Sequence, residues 1–452
     1  MKRIIALISA LLIIGTVAVF ASGSGQQGST SGGGSSAPAA AGEKVVFWTS
    51  HTANDLEVLR RIVTAYNATN PVVPVEIVNV PGSETEITKL ATSIRGGTAP
   101  DVYFLDRFTI AERAAAGMLE DITPVLNRID PNLKSKYLDF AWQETQFKGK
   151  TYGLPLDTDI RAIFYRKDLL REAGVDLSIF DPANGPMTIA QIREASFKLN
   201  KTDAQGNYVQ TGLVPFATEL QGWHYIWGFV YGGQFANIPQ GKVTPLDPGV
   251  VAAYQLFYDW AKDMGPQKIQ SFLSTYTPPN NPPQNNPFIT GQVAIMVNGD
   301  WMISQFREYA PNLEYGITYL PVPKAGDKPT SFAGGWSLVV PVGSKRLEAA
   351  VRFMVWACGA DGQRLYTKGT THLPTYASLM NEADLFTTEH QFFRSMLPVA
   401  RSRPVLPVGA FYWDQLTAAQ NAVVDNTSTP EQALKAVEEQ TQAQLSKFLP
   451  LQ

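Results

Sequence analysis

Val45-Val46-Phe47-Trp48, Val72 to Val80 and Asp101-Val102-Tyr103-Phe104-Leu105 are three short apolar runs with two amphipathic stretches between them. The first run reads as a buried strand. The residues after it place Leu56, Leu59, Ile62, Val63 and Tyr66 on one helical face. The run from Val72 is rich in β-branched residues and reads as a second strand. Ser83 and Glu86 have capping-box spacing, opening a helix that turns Ile87, Leu90, Ala91 and Ile94 inward. Asp101 to Leu105 is the third strand. The β-α-β-α-β order predicts an α/β fold, an open and mostly parallel sheet with helices on both faces. Ligands of such sheets sit beyond the carboxyl ends of the strands. Here those ends are His51, Pro81-Gly82 and Asp106-Arg107.

Downstream the mixed character continues. Strands are predicted at Ile160–Tyr165, Val293–Val297 and Trp336–Val340. Helices are predicted at Gly249–Met264, Asp300–Tyr309 and Lys345–Ala357, with one capped by Thr188 and Gln191 that runs to about Leu199. Thr429 caps a last helix, with Pro430 at its first position. Thr277 to Pro287 holds five Pro and four Asn, a composition that reads as a stiff loop and not a regular element.

Upstream, Lys2 and Arg3 precede an apolar run from Ile4 to Phe20, closed by Val19-Phe20-Ala21. This pattern is that of an export signal cleaved near Ala21; the alternative is an uncleaved anchor. Ser22 stands where a lipid-carrying cysteine would be required, so no lipidation is expected. Residues 22–42 hold seven Gly and six Ser and read as a flexible tether. Gly23-Ser24-Gly25-Gln26-Gln27-Gly28 fits the dinucleotide fingerprint, but no strand or helix flanks it, so the match carries nothing. Of the 452 residues, 37 are basic and 40 acidic, a net charge of −3 that offers no field for nucleic acid. Without Lys2 and Arg3 the balance is 35 against 40. The single cysteine, Cys358, excludes an internal disulfide and a cysteine zinc site.

Catalytic signatures are missing. There is no nucleophile elbow and no Walker loop, and His51, His224, His372 and His390 show no metal-binding spacing. No cofactor or metal is expected. Asp157 and Asp159 lie two apart, on one face of a strand. They are either an acid/base pair, as in glycosidases, or two acceptors for ligand hydroxyls, or a solvated turn. Acid/base work requires surroundings that separate their pKa values.

Nine Trp, 17 Tyr and 23 Phe in an exported chain invite a carbohydrate reading. A sugar ring has a C–H face that an indole covers and hydroxyls that charged and amide groups hold. Trp301 follows Asn298-Gly299-Asp300, Trp336 follows Gly334-Gly335, and Trp223 lies in Gln221-Gly222-Trp223-His224. Each of these three either stacks on a ligand or packs in the core. Trp142, Trp260 and Trp356, with helical neighbours, read as core.

Several blocks together resemble the extracellular solute-binding proteins of bacterial ABC importers, in particular the sugar-binding family that includes maltose-binding protein. They are Pro100-Asp101-Val102-Tyr103, Ala116 to Thr123, Tyr152-Gly153-Leu154-Pro155, Ile163 to Leu169 with Glu172-Ala173-Gly174, Gly291 to Met296 with Gly299 and Trp301, Ser331 to Trp336, and Arg403-Pro404. The resemblance implies a two-lobed, type II periplasmic-binding-protein fold. Each lobe is an open sheet flanked by helices, and crossover strands join them. Lobe 1 would take residues 43–156 and 331–373, and lobe 2 residues 157–330 and 374–452. It further implies a monomeric, periplasmic receptor that closes on a sugar and delivers it to the membrane subunits of an ABC permease. As ligand contacts it implies Asp106, Arg107, Asp159 with Asp157 beside it, Trp223, His224, Trp301, Gly335, Trp336 and Arg403, to which the strand end adds His51. A non-sugar solute (a polyamine, a phosphodiester or iron) and a secreted carbohydrate-active enzyme using Asp157 and Asp159 remain as alternatives.

Overall fold

A computed structural model describes residues 43–82, 87–279 and 281–451. The export signal, the tether and the capping box of Ser83 and Glu86 lie outside the described residues.

The first sheet has the strand order Val75–Asn79, Val45–Thr49, Val102–Asp106, Trp336–Val339, Gly153–Pro155. Its first three strands are parallel, as the alternation requires; the last two pair antiparallel. Helix Ala53–Asn67 buries Val58, Leu59, Ile62, Val63 and Tyr66 against this sheet's core. The second strand is shorter than its apolar run. Pro74 breaks it, and Val72 is left 73% exposed.

The second sheet is built on the ten-residue strand Asp157–Arg166, buried along its whole length. Ile295–Gly299 and Tyr315–Thr318 pair with its far half, Ser331–Gly334 with Asp159 and Ile160, and Leu373–Pro374 with Asp157 and Thr158. Around it lies the larger core, which includes Trp227, Trp260, Phe257 and Tyr254 from the helices beside it. Thr188 with Gln191 and Thr429 with Gln432 close full capping boxes on the helices Ile189–Lys198 and Pro430–Leu445.

The chain passes between the sheets three times. Leu156 separates Gly153–Pro155 of the first sheet from Asp157 of the second. Gly335 separates Ser331–Gly334 of the second from Trp336–Val339 of the first, so residue 331, expected to open a return segment, lies on a strand of the second sheet. Helices Leu347–Ala357 and Ala360–Thr370 supply the first core, and Leu373 then joins the second.

The loop Thr277–Pro287 is mostly irregular. It holds one 3-10 turn, Pro283–Asn285, and Asn286 caps a single helical turn, Pro287–Thr290, by accepting from the Phe288 N–H at 2.9 Å.

Candidate functional site

Strand ends, a helix start and two of the three crossings, at Gly335 and His372, converge on one cavity of about 220 Å³. The first sheet contributes His51 and Asp55 after one strand, Asp106 at the end of another and Trp336 at the start of a third. Opposite stand Gln221, Trp223, Trp301 and Gln305. The floor is Asp159, Arg161, Gly334, Gly335, His372 and Arg403. A larger hollow of about 810 Å³ lies around Arg171, Phe306 and Glu389, but none of the sequence-predicted residues borders it, and it is not at the carboxyl ends of the first sheet.

The aromatic rings are held by their backs and edges. Trp336 stacks on Phe104, with centroids 5.1 Å apart and planes 6° apart, and meets His51 edge-on at 4.4 Å. Trp301 has the Arg161 guanidinium 4.5 Å from its ring centroid. Gly299 makes that pose possible, because a Cβ there would strike the Trp301 ring. Trp223 packs edge-on against Trp413 at 5.0 Å. At Gly335, φ is +137° and a Cβ would strike the Arg107 guanidinium, so the crossing requires glycine.

Each guanidinium of the cleft has a carboxylate. Arg403 Nη2 donates to Asp106 Oδ1 at 2.8 Å, and Arg161 Nη1 to Asp159 Oδ1 at 2.6 Å. Asp159 Oδ1 also accepts from the Gly334 N–H at 2.8 Å. Burial pushes the Asp159 carboxyl up, but Arg161, His372 and Arg107 outweigh it and hold the group below its ordinary value. Burial lowers His51 to about 3, helped by His372, and lowers His372 to about 4. Both imidazoles are neutral at physiological pH, each with one donor and one acceptor. Asp55 has no guanidinium partner among the described residues, and burial pushes its carboxyl up to about 7.

Eight of the eleven sequence-predicted residues border this cavity: His51, Asp106, Asp159, Trp223, Trp301, Gly335, Trp336 and Arg403. Arg107, Asp157 and His224 do not. Arg107 is fully buried, bonded to Glu144 at 2.8 Å and to the carbonyls of Asp157 and Gly334. Asp157 is buried behind the crossing, where Oδ1 accepts from the Trp336 N–H at 2.6 Å. Burial and Asp159 raise its carboxyl well above the ordinary value while Asp159 is lowered, so the two pKa values are indeed separated. Geometry nevertheless argues against an acid/base pair, because the Asp157 side chain is wholly buried and does not border the cavity.

His224 packs against Trp413, ring centroids 4.8 Å apart, with Nε2 3.3 Å from the Thr417 hydroxyl. Burial, and then Arg403, lowers it to about 3. The folded protein therefore leaves His224 unprotonated where the unfolded chain, titrating near 6.5, takes up a proton. Its contribution to stability is whole above pH 6.5 and falls as pH drops toward 3. Wild type and His224→Asn, compared by urea denaturation, should lose about 2 kcal/mol of their difference between pH 7.5 and pH 5. A difference that stays constant would show a histidine open to solvent.

Asp55, Arg161, Gln221, Gln305, Gly334 and His372 border the cavity without having been singled out. Arg161 carried a signal: it continues the two-residue spacing of Asp157 and Asp159 on the same strand face. Gln221 carried a weaker one, as the residue before Gly222-Trp223. It adopts a left-handed φ of +62°, and its Oε1 accepts from Arg161 Nε at 3.1 Å.

Comparison with known proteins gives a consistent result. The family model described as bacterial extracellular solute-binding protein matches residues 49–364. A putative binding protein of Brucella abortus is 25% identical over 415 residues, covering 90% of this chain and 95% of that protein. The galactooligosaccharide-binding protein of Bacillus subtilis is 24% identical over 392 residues, covering 82% and 83%. Among solved structures, CpMnBP1 with mannotriose bound superposes with a TM-score of 0.76 at 23% identity, covering 88% of this chain and all of that one.

Proposed function

Because the chain belongs to the bacterial extracellular solute-binding proteins, we propose that it is a carbohydrate receptor of an ABC importer. It captures a sugar or oligosaccharide in the cleft between its two lobes and passes it to the permease without chemical change. The observation that carries this reading is the pair of aromatic walls. Trp336 from a strand of the first sheet and Trp301 with Trp223, each at the start of a helix, bracket a cavity whose remaining lining is carboxylate, guanidinium, amide, neutral imidazole and two glycines. Indole faces cover the C–H face of a sugar ring, and the polar groups match its hydroxyls. With both cleft guanidiniums already matched by carboxylates, no free cation among the described residues of the cleft is offered to a phosphodiester. The carboxylates of Asp159 and Asp106 each already hold a guanidinium, which makes them poor anchors for a polyamine. The relatives named as binding a galactooligosaccharide or seen with mannotriose point the same way.

The crossings at Leu156, Gly335 and His372 are the segments about which the lobes close, in a hinge motion. The receptor works as a monomer in the periplasm, exported with its signal cut near Ala21 and not lipidated.

A thermal-shift screen over mono- and oligosaccharides tests the reading. A ligand at a hundred times its Kd should add about 2.7 kcal/mol of stability. A shift with the sugar recovered intact supports the receptor. Release of a shorter sugar would favour the enzyme, and no shift with any sugar would remove the carbohydrate assignment.

A further inference from the structure

The Pro/Asn loop has no place in the cleft as described, yet it walls a second cavity directly beside it. That cavity, about 340 Å³, shares Gln221, Trp301 and Gln305 with the cleft. Thr277, Asn281 and Asn286 line it from the loop, and Asn298 and Met302 from beneath. Pro283, from the same loop, also borders a third hollow of about 310 Å³ on the side of His51 and Asp55, again with Gln305. The loop thus runs along the mouth of the cleft and touches the spaces on both sides of Gln305. The cleft alone, at 220 Å³, falls below the range of about 300–1,000 Å³ usual for small-molecule pockets, and the two neighbouring spaces taken together fall within it.

The chamber differs chemically from the cleft. The cleft is lined by ion pairs; the chamber is lined by amides. Asn286 Oδ1 and Asn298 Oδ1 are occupied by the N–H groups of Phe288 and Gly299, both at 2.9 Å, which turns the amide NH₂ groups to other use. The Asn298 NH₂ has only the Met296 sulfur at 3.7 Å, and the Gln305 side chain has no partner among the described residues. Glu219 is the one ionisable group among the described residues of the wall, and burial raises its carboxyl. Such a wall donates to and accepts from hydroxyls, and it offers no cation to an acidic group. The loop is also stiff before any ligand arrives. Prolines at 278, 279, 282, 283 and 287 fix φ at five of its positions, and Asn281 Nδ2 donates to the carbonyls of Asn285 at 2.9 Å and Tyr276 at 3.4 Å, tying its two ends.

We infer that the chamber under the Thr277–Pro287 loop is an extension subsite for an uncharged sugar residue, making the ligand a neutral oligosaccharide that runs over Trp301 from the cleft into the chamber. The inference rests on the carbohydrate reading above.

The test is titration calorimetry with the mono-, di- and trisaccharides of the mannose, maltose and galactose series. It compares wild type with two loop variants. Asn286→Asp keeps the acceptor that caps Phe288 while replacing the amide donor with a negative charge. Asn281→Ala removes the tie across the loop. Melting temperatures without sugar check that both variants are folded. In the wild type the trisaccharide of the bound series should bind at least about tenfold tighter than the monosaccharide. Both variants should weaken the longer sugars about tenfold and leave the monosaccharide within about twofold. Equal affinity at every length, or variants that weaken every length alike, would overturn the subsite while leaving the carbohydrate receptor standing. Failure of the wild type to bind any length would overturn both.

Discussion

Arg107→Ala will lower the stability of the protein by about 3–5 kcal/mol, the range for breaking a buried ion pair by removing one partner. The side chain is wholly inaccessible. Its Nε holds Glu144 at 2.8 Å, Nη2 donates to the Gly334 carbonyl at 2.5 Å, and Nη1 donates to the Asp157 carbonyl. One guanidinium thus ties the end of the strand Val102–Asp106 to two of the three crossings. Removing it takes a donor from two buried carbonyls, of which that of Gly334 keeps only the Thr158 hydroxyl at 2.9 Å, and leaves Glu144, whose Oε1 already has no partner, as an unmatched buried acid. Burial already raises the Glu144 carboxyl, and the neighbouring arginines oppose that rise, so without Arg107 it moves higher still. Urea denaturation measures the loss. Arg107→Met combined with Glu144→Leu should recover much of it, because no charge is then left alone. If Arg107→Ala keeps its stability and loses sugar affinity, the guanidinium reaches the ligand and its structural role is wrong.

Arg107 also marks where reading the sequence reaches its limit. An arginine directly after the third strand sits where a ligand contact is expected, and Asp106 beside it does border the cleft. Consecutive residues leaving a strand point to opposite sides, so one faced the cavity and the other turned into the crossing. The β-α-β-α-β reading of the first sheet needed only periodicity, and its strands stand within a few residues of their apolar runs. The capping boxes at Thr188 and Thr429 were legible because their partners lie three residues away. His372 and Asp55 had no such local mark. His372 arrives from the third crossing, more than two hundred residues from its neighbour Asp157, with Nδ1 3.7 Å from that carboxylate. Asp55 reads as an ordinary acidic residue in the first turn of a helix. The role of the proline loop was equally hidden, because composition gives its stiffness and not what it covers.

The cleft and the crossings place opposite demands on their residues, and that separates the two kinds of effect. A group such as Arg107 has all its partners inside the protein, whereas a stacking ring has a partner on one face and leaves the other for the ligand. Trp336 is of the second kind. One face lies on Phe104 at 5.1 Å and the His51 ring stands perpendicular to it at 4.4 Å, while the residue is only half-buried and borders the cavity. Trp336→Ala removes one aromatic stack from the fold and should cost about 1–2 kcal/mol of stability. It also removes the apolar floor under one sugar ring, worth about 2 kcal/mol of binding, or about 30-fold in Kd. Trp336→Phe should regain part of both, since a smaller flat ring still lies on Phe104. Calorimetric titration with the sugar found in the screen, beside urea denaturation of the free protein, reads the two effects independently. A stability loss above about 3 kcal/mol with Kd unchanged would make Trp336 a core residue. An affinity loss with most of the stability retained would make it a wall of the site.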